Sequence, residues 1–263
     1  MNRLKWLFIY DSIFFVWQDA VLGGTGTTTS TVEWTIAELL KHPNTLNKVQ
    51  QELTKVVGLN NKVEESHLPK LTYLNAVIKE TLRLHPSAPL LIPRAPSQST
   101  TIGGYKIPQG TKIFVNIWGL QRDPSVWDNP LEFAPERFLV NSDASSYQKF
   151  NLNSGSGEFN YLPFGSGRRA CPGIPLANKL VPYMVATFLH LFDWKLPHGT
   201  ELEFSDKFGI VAMKRVPLVA VPTFRSSDPE LYSMAWTMTI KNVAKLSCQL
   251  AIFTSISWIN LIF

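Results

Sequence analysis

The chain has 263 residues, 45% of them apolar and 12% aromatic, a composition that supports a packed core and excludes an intrinsically disordered chain. Its 25 basic and 20 acidic residues leave a formal charge of +5, and the cations are scattered instead of gathered in a run, which argues against nucleic-acid binding. Only Cys171 and Cys248 carry thiols, far apart and outside any CxxC unit, so neither a disulfide framework nor a cysteine-rich zinc site is indicated.

Residues 1–17 are apolar but interrupted by Lys5 and Asp11. They fall short of the roughly 20 residues of a spanning helix and lack the small-residue cleavage site of a signal peptide. From residue 19 to 42, Val32, Ile36, Leu39 and Leu40 recur at helix spacing after a flexible entry, and Pro43 closes that run. Residues 44–57 predict a second helix with Gly58 just past its end. Leu71, Leu74, Val77, Ile78 and Leu82 define a third, which stops at His85-Pro86.

The period then changes. Residues 101–107 and 111–117 predict two strands joined by the turn Pro108-Gln109-Gly110. A long stretch rich in Pro, Gly, Asn and Asp follows over 121–173, and irregular segments of that length are usually functional. A last helix is expected over 173–192, with Pro182 bending it or displacing its start. At the far end, residues 246–263 carry no charge, but Ser, Thr, Gln and Asn dilute them, which favours a frayed tail over membrane insertion. The fold class is therefore mainly α with a smaller antiparallel β part.

Three clusters carry chemistry. The first is the loop Phe164-Gly165-Ser166-Gly167-Arg168-Arg169-Ala170-Cys171-Pro172-Gly173. Its glycines permit close backbone approach, and Pro172 stands where a helix can begin without needing an N–H. Such a site puts the sulfur at the positive end of a helix dipole, which favours thiolate, while Arg168 and Arg169 can meet an anionic ligand. Read locally, an activated thiolate and a buried free cysteine in a glycine-rich turn both remain open. The second cluster is Glu80 and Arg83, three apart on one helix face, a spacing whose default is a solvated pair. The third, Gly23-Gly24-Thr25-Gly26-Thr27-Thr28, lacks both the GxGxxG spacing and the P-loop lysine.

Phe164, Gly167, Arg169, Cys171 and Gly173 match FxxGxRxCxG, the cysteine-loop signature of cytochromes P-450, at every specified position. Lys79-Glu80-Thr81-Leu82-Arg83 and Pro135-Glu136-Arg137-Phe138 resemble that family's ExxR and PERF segments, in the right order before Cys171. The resemblance implies a haem b whose iron takes Cys171 as axial ligand, with Arg169 and Arg94 on its propionates. Phe164 would pack beside the ligand and Gly173 would admit the macrocycle. Glu80, Arg83 and Arg137 would form a structural cluster. The glycine-threonine segment resembles the family's oxygen-binding motif [AG]Gx[DE]TT, making Thr27 the residue that assists protonation. Gly26 departs from that motif, standing where an acid is customary.

Longer stretches, such as KETLRLHPSAPLLIPR over 79–94, resemble plant microsomal enzymes, among them sesquiterpene, geraniol and flavonoid hydroxylases. The resemblance implies a monooxygenase acting on a small apolar plant metabolite with O2 and electrons from an NADPH-dependent reductase, at the endoplasmic reticulum membrane. Val21, Thr25, Ala88, Leu90, Leu91, Phe208 and Ile210 would line the substrate, although each equally reads as core packing. It covers residues 19–232 and the C-terminal portion of the fold. Residues 1–18 and 233–263 are expected to be off-family, the former ending on a stretch whose codons can resemble a splice acceptor. The competing expectation is a truncated, non-catalytic remnant.

Overall fold

In the structure, a computed structural model, residues 2–139 and 160–232 are described. Helix α1, Asn2–Lys41, runs for 40 residues, so the helix expected from residue 19 continues upstream without a break. Neither proline nor glycine interrupts residues 2–18, and each glycine farther along costs about 1 kcal/mol of helix propensity. Packing offsets that cost, because residues 30–39 are all buried. A helix enclosed on every side belongs to the interior, and its threonines must satisfy themselves. Thr31 and Thr35 do so by donating to the carbonyls of Thr27 and Thr31, at 2.9 and 2.7 Å.

Helix α2, Pro43–Val57, starts on a proline and ends at Gly58, whose φ of 84° is left-handed. It buries Val49, Leu53 and Val57, spaced four apart. Helix α3, Thr72–Leu84, stops before Pro86 as expected. Its N-terminus is capped from α2: the Glu52 carboxylate accepts from the backbone N–H groups of Tyr73 and Leu74 at 2.8 and 2.9 Å.

The β part differs from the expectation. β1, Thr100–Ile102, pairs with β2, Tyr105–Ile107, so the hairpin lies inside the first predicted strand. Gly103 and Gly104, with φ of 54° and 84°, make its turn, a conformation that only glycine adopts freely. The second predicted strand does not form. Ile113 alone bridges Arg94, and Asn116 accepts from the Gly119 N–H at 2.9 Å to cap the short helix α4, Ile117–Leu120. Residues 121–139 continue in turns that include a 3-10 helix at Pro135–Phe138.

Helix α5, Ile174–Leu191, follows the cysteine loop with Pro182 buried inside it. It leads into β3, Phe192–Lys195; then come β4, Asp206–Lys207, β5, Met213–Lys214, and β6, Val221–Phe224. β3 pairs with β6 and β4 with β5, all antiparallel. The core gathers Val32 and Ile36 of α1, Leu53 of α2, Leu74 and Val77 of α3, and Val185 and Leu189 of α5. Among the described residues no helix is long and apolar enough to cross a membrane. The apolar tail at 246–263 lies outside the described residues.

Candidate active site

The foundation of the site is a buried charge cluster on α3. Glu80 and Arg83 lie one turn apart with both side chains at 0% exposure, which corrects the solvated surface pair that their spacing alone suggests. Arg83 donates through Nε to Glu80 Oε2 at 2.7 Å and through Nη2 to Oε1 at 2.8 Å. Its other three N–H groups reach the carbonyls of Gln121, Pro130 and Glu132 at 2.8, 2.7 and 3.1 Å. Every guanidinium donor is therefore used, as a buried arginine requires. Arg137, from the 3-10 turn, donates through Nε to Glu80 Oε1 at 3.0 Å, and the Ala134 N–H joins the same oxygen at 2.9 Å. The three residues expected together are brought together.

Two residues tie this cluster to the cysteine loop. Tyr161 donates to the Lys79 carbonyl at 3.1 Å, and burial pushes its phenol well above the usual range. Gln121, fully buried, reaches from α3 to Leu162, where its Oε1 accepts the backbone N–H at 3.2 Å. Sequence reasoning missed Gln121, since a glutamine between two turns carries no motif of its own.

The loop itself is closed by backbone bonds. The Leu162 carbonyl accepts from Gly165, the Phe164 carbonyl from Cys171 and the Gly167 carbonyl from Ala170, each at 3.0 Å. Gly165 and Gly167 take left-handed φ values of 68° and 70°. Cys171 is exposed, which overturns the buried-cysteine alternative. It lies two residues before Gly173, the cap of α5, where a side chain would come within 3.6 Å of the sulfur. Phe164 packs against the core, and Arg169 is exposed. Arg94 reaches the loop: its Nη2 donates to the Arg169 carbonyl at 3.4 Å, while its backbone is fixed by paired bonds to Ile113. Leu91, held at a left-handed φ of 51°, places its side chain 3.4 Å from where a Cβ on Gly165 would sit. A leucine is strained there.

Hydrogen bonds tie α1 to the chain at Ser87 and at Ala212, near the residues expected to line the substrate. Thr31 and Ser87 share a hydroxyl hydrogen bond at 3.1 Å; the Ser87 carbonyl accepts from the Ala212 N–H at 2.9 Å; Ser30 of α1 donates to the Ala212 carbonyl at 2.8 Å. Val21, Leu90, Phe208 and Ile210 are 39%, 46%, 63% and 84% exposed, so these four are not core packing, and Thr25, Ala88 and Leu91 are half-buried. Thr25 and Thr27 donate back to the Val21 and Gly23 carbonyls at 2.8 and 2.7 Å. Gly26 is covered by Met213, whose Cε lies 3.4 Å from where a Cβ would stand.

The family model for cytochrome P-450 matches residues 12–220. The chain belongs to the cytochrome P-450 family. It is 48% identical over 207 residues to carnosic acid synthase of Salvia pomifera, covering 78% of this chain and 40% of that relative. Similarity to 11-hydroxysugiol 20-monooxygenase of Salvia miltiorrhiza is 45% over 212 residues, covering 80% and 40%. A flavonoid 3'-monooxygenase of Crocosmia x crocosmiiflora is 44% identical over 207 residues, covering 78% and 40%. Among solved structures, a zebrafish cytochrome P-450 with abiraterone superposes with a TM-score of 0.69 at 35% identity, covering 79% of this chain and 46% of that one. The chain thus spans about 40% of the length of these curated relatives.

The residues present fit the haem that this P-450 family implies. The donor set is one exposed thiol before a helix start, beside a Gly173 that keeps the space at the sulfur clear, and Gly167 has nothing within 4 Å of its Cβ position. The Arg94 guanidinium meets the Arg169 backbone in the same loop.

Proposed function

We propose that this chain is the haem-binding portion of a monooxygenase that inserts one oxygen atom into a small apolar plant metabolite, using O2 and electrons from an NADPH-dependent reductase at the endoplasmic reticulum membrane. The observation that carries the reading is the exposed Cys171 thiol, held in a loop that is braced on the buried Glu80–Arg83–Arg137 cluster. A haem b bound there through a thiolate supplies cleavage of the O–O bond and oxygen transfer.

The chain's own residues do the rest. Cys171 would supply the sulfur ligand, Gly173 would leave room for the ring, and Arg94 and Arg169 would neutralise its propionates. Thr27 donates its proton to the Gly23 carbonyl, so its oxygen lone pairs would be left to accept a hydrogen bond in assisting protonation. Leu90, Phe208 and Ile210 offer apolar surface to the substrate. The 11-hydroxysugiol 20-monooxygenase and the flavonoid 3'-monooxygenase among the relatives support this reading.

A second reading, a non-catalytic remnant, is favoured by one observation: Gly26, in the place of the customary acid, lies under the Met213 methyl with no carboxylate at that position. The experiment that tests the first reading is expression with haem, followed by the spectrum of the reduced, carbon-monoxide-bound form. A red-shifted, thiolate-type band that disappears in Cys171→Ser is the expected result. Haem uptake with an identical band in the serine variant would remove Cys171 as ligand, and no haem uptake at all would leave the remnant. Turnover of terpenoid or flavonoid candidates with added reductase then separates a competent enzyme from a haem-binding one.

A further inference from the structure

The buried amide of Gln121 joins two parts of the molecule that the sequence keeps apart. Its Nε2 donates to the carbonyls of Leu82 and Arg83, both at 3.0 Å, in the last turn of α3. Those carbonyls have no continuing helix to receive them, because α3 ends at Leu84. At its other end, Oε1 accepts the Leu162 N–H at 3.2 Å. The partners fix which way the amide points: reversed, it would set an oxygen against two carbonyls and an N–H₂ against an N–H. The backbone carbonyl of Gln121 also receives an Arg83 Nη1 bond at 2.8 Å.

From Leu162 the path runs directly to the thiol. The Leu162 carbonyl takes the Gly165 N–H, which turns the chain, and the Phe164 carbonyl then takes the Cys171 N–H, each at 3.0 Å. Resting on the haem-thiolate reading above, we propose that Gln121 is a positioning residue for that ligand: a strut that sets the cysteine loop against the buried end of α3. A fully buried side chain at 0% exposure with both ends satisfied across about 40 residues of sequence on either side does more than fill space. Tyr161 anchors the neighbouring residue to Lys79, but its bond precedes the turn and leaves the Leu162 N–H, the hinge of the loop, to Gln121 alone.

The test is made on the full chain with Gln121→Met, which keeps the volume and removes all three side-chain bonds, alongside Val49→Ala, a core change on α2 that destabilises without touching the loop. Hydrogen exchange read by mass spectrometry should show peptides from 160–173 exchanging about tenfold faster in Gln121→Met, with α2 and the middle of α1 unchanged. The haem-loaded Gln121→Met chain should lose thiolate-type band in favour of a non-thiolate form, whereas Val49→Ala keeps the wild-type proportion. If Gln121→Met does not fold, Gln121→Asn decides, since it is too short to reach α3 and Leu162 together and should give the same local effect. Exchange that rises uniformly over the molecule, or a loop and band as in the wild type, would overturn the strut. A wild-type chain with no thiolate-type band but with loop protection lost in Gln121→Met would remove the haem reading and leave Gln121 as the anchor of the loop.

Discussion

Glu80 and Arg83 meet through two parallel hydrogen bonds of 2.7 and 2.8 Å, with neither side chain reaching solvent. The pair is worth little as attraction, since two charges had to leave water to form it. Its effect lies in what breaking it would leave behind. Glu80→Ala strands a buried guanidinium and frees the Ala134 N–H as well, so a loss of about 3–5 kcal/mol in unfolding free energy is expected. Arg83→Lys should cost nearly as much, because an ammonium cannot reproduce five donors in a fixed fork. Urea denaturation followed by tryptophan fluorescence measures both; a change under about 1 kcal/mol in Glu80→Ala would mean that water reaches the cluster.

Gly26 and Met213 should behave as a coupled pair. A methyl at position 26 would stand 3.4 Å from Met213 Cε, an ordinary contact, so Gly26→Ala should raise stability by roughly 0.5–1 kcal/mol through helix propensity. Gly26→Asp extends past that limit and pushes a carboxylate against the thioether. It should lower the melting temperature, and Met213→Ala should recover part of the loss. Additive effects in the double variant would show that Met213 does not cover this position.

Much of this arrangement was legible in the sequence, for a physical reason. Helix limits at Pro43, Gly58 and Pro86 follow from local backbone rules, and they hold. The Glu80, Arg83, Arg137 and Cys171 positions were readable because their spacing and order match a family motif. What failed was pairing. Gly103-Gly104 is the stronger turn signal, yet Pro108-Gln109-Gly110 sets the expected hairpin one strand too late, since alternation at Ile113, Val115 and Ile117 resembles a strand. β3 to β6 escaped altogether because two- to four-residue strands carry too little period to detect. Gln121 and Met213 were invisible because their roles exist only between segments that the fold brings together.

Glu52 provides a local test of how α2 and α3 are held. Its carboxylate serves the Tyr73 and Leu74 N–H groups and the Thr72 hydroxyl, the last at 3.1 Å, so it both caps α3 and opposes its dipole. Glu52→Ala should cost about 1–2 kcal/mol, and Glu52→Gln about half of that, because the amide oxygen still accepts. Thermal unfolding of the two variants separates charge from capping; equal losses would assign the whole effect to the charge.

His85 makes stability depend on pH. It stacks on Trp34 at 3.8 Å with the rings 6° apart, and its Nε2 meets Glu38 Oε1 at 2.7 Å. Burial outweighs that carboxylate and holds the imidazole below its ordinary value of 6.5; His190 is lowered by burial as well. A histidine whose folded pKa is depressed binds fewer protons folded than unfolded, so stability is full above the unfolded value and declines as pH falls below about 6.5. The slope can reach at most about 1.4 kcal/mol per pH unit for each imidazole. Denaturation midpoints measured from about pH 7.5 down to about pH 5 should therefore fall in the wild type. His85→Gln removes the titrating group while keeping an amide that can reach Glu38, so its curve should be flatter through that window even if its midpoint at neutral pH is lower. Parallel curves for the two proteins would show that His85 binds protons equally in the folded and unfolded chain, so that burial does not outweigh Glu38.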